Sequence, residues 1–166
     1  MASLEIITKS DKETKKLGEK LAKEIAISHK PYAARRKAYG LRRAFVISLD
    51  GELGAGKTTF TQGFAKGLGI KETPKSPTFV IMRIYKLNKS NRSDKIVEFE
   101  NFIHIDAYRI TSKDLKSLGW NELVSGQQNI ILIEWGDRVK NILPKNALRI
   151  IFKHGHSGSR LIKIMQ

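Results

Sequence analysis

The sequence predicts an α/β domain in which helices flank a central sheet, and three observations predict it. An apolar run of strand length, "AFVISL" at 44–49, passes through a glycine-rich loop into helical spacing. A second such run, "NIILIEW" at 129–135, stands far downstream. Between them, "SPTFVIMRIYKL" and "VEFENFIHIDAYRI" read as an antiparallel pair. Continuous apolar runs of this length are typical of central strands covered on both faces. A chain of 166 residues fits one domain, which at that size buries roughly 70% of its unfolded surface.

Taken in order, "LEIIT" at 4–8 is a short strand. Ser10 and Glu13 form a capping-box signature opening a helix with Leu17, Leu21 and Ile25 on one face. The segment 30–43, "KPYAARRKAYGLRR", carries Lys30, Arg35, Arg36, Lys37, Arg42 and Arg43 without an acid. Interleaved Tyr32 and Tyr39 permit stacking on unpaired bases. The alternative is a solvated linker or short helical insert. After the glycines, Phe60, Phe64 and Leu68 recur at helical spacing, and Gly69 is placed to end that helix. The antiparallel pair brackets "NKSNRSD", giving an extended hairpin tip at about 87–101. The tail, "NALRIIFKHGHSGSRLIKI", reads as two strands around "HGHSGS". No internal repeat or second domain is visible.

Gly51, Gly56, Lys57 and Thr58 fit G-x-x-x-x-G-K-[ST], with Gly54 adding flexibility, between a buried strand and a helix. In such a loop, successive backbone N–H groups turn toward phosphate oxygens and the helix N-terminus adds a favourable dipole. Lys57 is then placed to reach the β and γ phosphates and Thr58 to ligate magnesium. A glycine-rich turn needing only tight geometry gives no reason for the Lys-Thr pair.

Two acids are candidates for the rest of the site. Glu134 ends an apolar strand, where a magnesium carboxylate is needed if that strand neighbours the one before the loop. Alternation in "FIHIDAYRI" puts His104, Asp106 and Tyr108 on one face. Asp106 either orients a water or belongs to a strand face that meets solvent.

The ordered set "GELGAGKTTF", "SPTF", "HIDAYR" and "LIEWGDR", together with "SGSRLIKI" and its Arg160, resembles the TsaE family, bacterial ATPases that support threonylcarbamoyladenosine synthesis beside the tRNA anticodon. The resemblance implies a single P-loop NTPase domain over residues 1–166, with a mainly parallel central sheet, additional antiparallel strands and flanking helices. It implies a nucleotide loop of Gly51, Glu52, Leu53, Gly54, Ala55, Gly56, Lys57, Thr58 and Thr59, and ATP and magnesium as ligands. Ser76, Pro77 and Thr78 match a switch-like segment in which Thr78 senses the γ-phosphate. Lys57, Asp106 and Glu134 would form the reacting centre, Thr58 and Glu134 the metal ligands, and Trp135 the edge of the site. The activity implied is slow ATP hydrolysis dependent on the TsaB and TsaD proteins, with tRNA met indirectly or through the basic insert. "WGDR" stands where an aromatic and a proline-acid pair are common in relatives, which leaves the roles of Asp137 and Arg138 open. The basic insert and the hairpin tip are longer than usual.

Composition narrows the classes further. Cysteine is absent, excluding disulfides and thiolate metal sites. No secretory h-region or membrane-length apolar run is present, so a soluble cytoplasmic protein without membrane attachment is expected. Lys plus Arg number 31 against 16 acids, a formal charge of +15 that points to a polyanionic partner. Two other functions fit the loop. A small-molecule kinase would need an acceptor pocket and an arginine-bearing lid, for which Arg109, Arg138 and Arg160 are available without a lid-length insertion. A non-enzymatic nucleotide-dependent RNA-binding module would leave Asp106 and Glu134 without a task. ATP rather than GTP is taken from the family; no guanine-reading N-K-x-D stretch occurs.

Overall fold

Successive side chains of a strand point to opposite faces of the sheet, and along the central strands both faces are covered by helices. The computed structural model describes residues 3–38, 43–74, 81–87 and 99–165, and of 27–38 the backbone alone. In chain order these are β1 (Ser3–Thr8), α1 (Asp11–Ala38), β2 (Phe45–Gly51), α2 (Lys57–Gly67), β3 (Met82–Lys86) and β4 (Asn101–Asp106), followed by α3 (Ser112–Ser117), α4 (Trp120–Ser125), β5 (Asn129–Glu134), β6 (Leu148–His154) and β7 (Arg160–Met165). A 3-10 segment, Gly136–Ile142, follows β5. The strands form one sheet in the order β1-β7-β6-β2-β5-β4-β3. Its centre, β6-β2-β5-β4, is parallel, while β1, β7 and β3 join antiparallel. No helix among the described residues is long and apolar enough to cross a membrane.

Ile47 and Leu49 of β2, Phe102 of β4, and Ile130 and Leu132 of β5 share one core with Phe60 and Phe64 of α2 and Ala22 of α1. The alternate residues Val46, Ile103, Ile105, Ile131 and Ile133 pack on the opposite face with Leu115 of α3, Trp120 of α4 and Val139. Both faces of the central strands are therefore dry, as their continuous apolar runs required.

The helix limits follow from local chemistry. Ser10 Oγ accepts the Glu13 N–H, and the Glu13 carboxylate accepts the Lys9 N–H, so the first turn of α1 is capped from both sides. At the end of α2, Gly69 in the left-handed region (φ 82) lets its own N–H reach Lys66 O and the Ile70 N–H reach Ala65 O. That is a Schellman stop.

One expectation changes. Of the two alternatives for the basic segment, the linker is corrected over 30–38, where the backbone is helical as a helical insert would be, but as a continuation of α1 to Ala38. The hairpin of β3 and β4 forms as read, but its tip at 88–98 lies outside the described residues.

Candidate functional site

The parallel order brings the glycine loop after β2, Glu134 at the end of β5 and Asp106 at the end of β4 to one edge of the sheet. Leu49 and Asp106 are the two register partners of Glu134. Ile130, Leu132 and Glu134 alternate onto the α2 side, and on α2 Thr58 and Thr61 lie three residues apart on one helix face. The Thr58 hydroxyl donates to Glu134 Oε2 at 2.7 Å, and the Thr61 hydroxyl is 3.2 Å from Oε1 and 3.0 Å from the Lys57 carbonyl.

His104 completes the environment of Glu134. It is fully buried, with Nε2 2.8 Å from Glu134 Oε1. A carboxylate oxygen only accepts, which puts the ring hydrogen on Nε2. Nδ1 has no partner among the described residues. A bare lone pair there is cheaper than a bare N–H, so the same tautomer leaves Nδ1 at the smaller cost. The solvent-facing alternative for this strand is thus corrected: every residue of β4 is buried, because α2 covers the face that carries His104.

The loop itself is shaped by its glycines. Gly51 has φ 131, and a Cβ there would meet the Phe152 carbonyl oxygen at 2.1 Å. Gly56, φ 100, is the N-cap of α2 and supplies no side-chain cap. The first N–H groups of α2 consequently lack intrahelical partners and open onto the cleft. The Ala55 N–H is spent on Glu52 O at 3.3 Å, and the Ala55 side chain is core. Lys57 Nζ donates to the Gly51 and Glu52 carbonyls, both at 2.7 Å, and lies 3.6 Å from the centre of the Trp135 ring. Burial pushes its ammonium below the usual range, against the pull of Glu134, Asp137, Asp106 and Asp50.

A cleft of about 340 Å³ is enclosed by Gly54, Gly56, Lys57, Thr58, Asp106, Tyr108, Glu134 and Trp135. Leu53 and Thr59 also line it. Asp106 is buried, and its Oδ1 accepts the Tyr108 N–H at 2.9 Å. Trp135 takes the left-handed region at φ 61, which turns its ring onto Tyr108 at 4.9 Å. Arg138 has a position after all: its guanidinium covers the Tyr108 ring at 5.0 Å and donates to the Tyr108 carbonyl at 2.7 Å.

Sequence reasoning missed Thr61, which only helical phase relative to Thr58 signals, and a brace behind the loop. There Asp50 accepts from Ser48 Oγ at 2.6 Å and from Arg149 at 2.6 and 3.1 Å. Arg160 reaches α1 instead of a lid, donating to Asp11 and to Thr14 at 3.3 Å. Ser76, Pro77 and Thr78 lie outside the described residues.

The donors fit magnesium. They are hard oxygens, a hydroxyl and a carboxylate, and no cluster of three or more acidic or imidazole ligands occurs among the described residues. Magnesium keeps several waters and takes one or two protein ligands beside substrate phosphates, so an all-protein cage is not required.

Residues 8–162 match the family described as threonylcarbamoyl adenosine biosynthesis protein TsaE. Curated relatives named tRNA threonylcarbamoyladenosine biosynthesis protein TsaE include one from Bacillus subtilis, 38% identical over 117 residues, covering 70% of this chain and 66% of the relative. One from Streptomyces coelicolor is 36% identical, with 70% and 73% covered, and one from Treponema pallidum is 35% identical, with 75% and 84% covered. The crystal structure of Bacillus subtilis YdiB superposes with a TM-score of 0.67 at 31% identity, covering 98% of this chain and 84% of that one.

Proposed function

The chain belongs to the TsaE family of threonylcarbamoyl adenosine biosynthesis proteins, and from that premise we propose that it is a cytoplasmic P-loop ATPase using Mg-ATP to support this tRNA modification with TsaB and TsaD. One observation carries the reading: the 2.7 Å contact between Thr58 and Glu134, 76 residues apart in sequence, at the mouth of an uncapped helix. Structural needs alone do not call for a buried carboxylate beside a lysine and a free helix N-terminus.

In this reading the α2 N-terminus and the loop amides receive phosphate oxygens, and Lys57 exchanges its two loop carbonyls for the β and γ phosphates. Thr58 and Glu134 hold magnesium, which when bound neutralises charge on the transferring phosphate. Asp106, fixed by the Tyr108 amide, holds the attacking water. Trp135 and Tyr108 wall the cleft and limit bulk water. tRNA is met through the partner complex or through the segment 30–43.

Phosphate release from ATP, measured with and without TsaB, TsaD and tRNA, tests the proposal. Turnover that rises with the partners and needs no acceptor supports it. Phosphorylation of a small acceptor would identify a kinase instead, and nucleotide binding with no release under any condition would leave a passive module.

A further inference from the structure

A second, larger concavity, about 1220 Å³, lies outside the nucleotide cleft between α1 and residues 62–73. Lysine is the commonest residue of its lining, and the pairing of its charges decides what it presents. Each acid there is already engaged: Asp11 by Arg160, Glu19 by Lys23 and Lys66, Glu24 by Lys20, and Glu72 by Arg83. Lys12, Lys15 and Lys16 on α1 and Lys71 on the opposite bank line the groove with no acidic partner among the described residues. All four are exposed. Lys12 and Lys16 are one helical turn apart, which sets their ammonium groups in a row along the groove.

We propose that this lysine groove binds the sugar-phosphate backbone of tRNA. Four unpaired cations on two banks of an open trough suit a strand of phosphates passing between them. The groove lining has no aromatic ring on which a base could stack and no arginine fork for reading a base edge. Contact is therefore to the backbone and independent of sequence. An acidic protein would present carboxylates on a convex surface of fixed shape; the RNA chain offers one charge per nucleotide along a path that a trough accommodates. The site is distinct from the 30–43 segment and rests on the family's link to tRNA, not on ATP hydrolysis.

The test uses the full chain and an unmodified tRNA transcript, with binding followed by fluorescence anisotropy across a salt series. Lys12→Glu, Lys16→Glu and Lys71→Glu are combined, with the matching triple Gln variant as a second arm should charge reversal impair folding. Arg36→Glu with Lys37→Glu serves as the comparison in the basic segment. The groove variants should weaken binding roughly tenfold or more, and the log–log salt slope should become shallower by about 2 to 3. Phosphate release from ATP without RNA should be unchanged, so loss of RNA binding stays separable from failure of the ATPase reading. An unchanged affinity and slope in both groove variants overturns the proposal. So does displacement of the tRNA by polyglutamate at equal charge concentration, which would assign the groove to an acidic protein.

Discussion

Glu134 is 2% exposed, and among the described residues the hydrogen bonds its carboxylate accepts come from side chains brought there by the fold, not by sequence proximity. Thr58 serves one oxygen; His104 and Thr61 serve the other. His104 therefore positions Glu134 from behind, leaving Oε2 aimed at the loop. Replacing it with Leu removes a hydrogen bond to a charged group, a loss of about 1.5–3 kcal/mol, visible as a lower melting temperature and weaker magnesium-dependent nucleotide binding. His104→Gln, which keeps a donor, should restore much of the magnesium dependence; equal losses in both variants would mean a packing role only. Lys57→Ala should abolish triphosphate-induced stabilisation, and Thr58→Ala should remove the part that magnesium adds. Glu134→Ala should lose turnover more than nucleotide affinity. Lys57 also has a pH signature. Its folded pKa is below the ordinary 10.5, so between the two values the unfolded chain binds more protons and stability rises with pH. Lys57→Met should flatten that rise in nucleotide-free thermal melts just below pH 10.5. Lys57 and Thr58 were legible because a loop motif fixes spacing, and Glu134 because it ends an apolar strand. His104 was not, since alternation assigns a side chain to a face without saying whether the face is covered.

At the scale of elements, α2, which opens at the glycine loop, is positioned by how closely α1 can approach it. Gly63 makes that approach possible: a Cβ there would fall 1.9 Å from the Lys15 carbonyl oxygen. Gly18 faces the same seam, with Phe60 O at 2.3 Å from its would-be Cβ. Backbone atoms cannot rotate aside, so Gly63→Ala forces the helices apart and disturbs the Phe60 and Phe64 layer. A destabilisation of about 1–3 kcal/mol is expected, read by urea unfolding, with the groove's RNA affinity falling as its banks separate. Unaltered stability would show that α1 slides freely on α2. The helix pair itself was readable from periodic apolar residues and a capping signature. The six-residue helices α3 and α4 were not, because one and a half turns carry too little periodicity to stand out from a loop. Thr111 caps α3 with Asp114 in a reciprocal box, a signal present in "TSKD" but without an apolar run behind it.

The whole molecule adds what local patterns cannot contain: the order of strands. The pairing of β1 with β7 joins Thr8 to Arg160, and the site exists only because β2 accepts β5 and β6 as its two neighbours. Strand-length runs implied central strands and the family resemblance a parallel centre, yet nothing local selects which strand lies beside which. Net charge, by contrast, is fully readable from composition, and it sets opposite salt dependences for folding and for association. A charge of +15 on 166 residues makes the compact state repel itself. Raising ionic strength from about 0.01 M to 0.15 M shortens the screening length from roughly 30 Å to 8 Å, which removes most of that long-range repulsion while leaving close pairs such as Arg149–Asp50, at 2.6 Å, less affected. The melting temperature of the free protein should therefore rise with salt over this range while tRNA affinity falls. In the presence of tRNA the two effects compete, because the polyanion itself relieves the repulsion at low salt, so the stabilisation tRNA confers should be greatest there. A melting temperature that falls with salt in the free protein would mean that paired charges outweigh the net excess, and the basic surface would then be locally balanced instead of awaiting a polyanion.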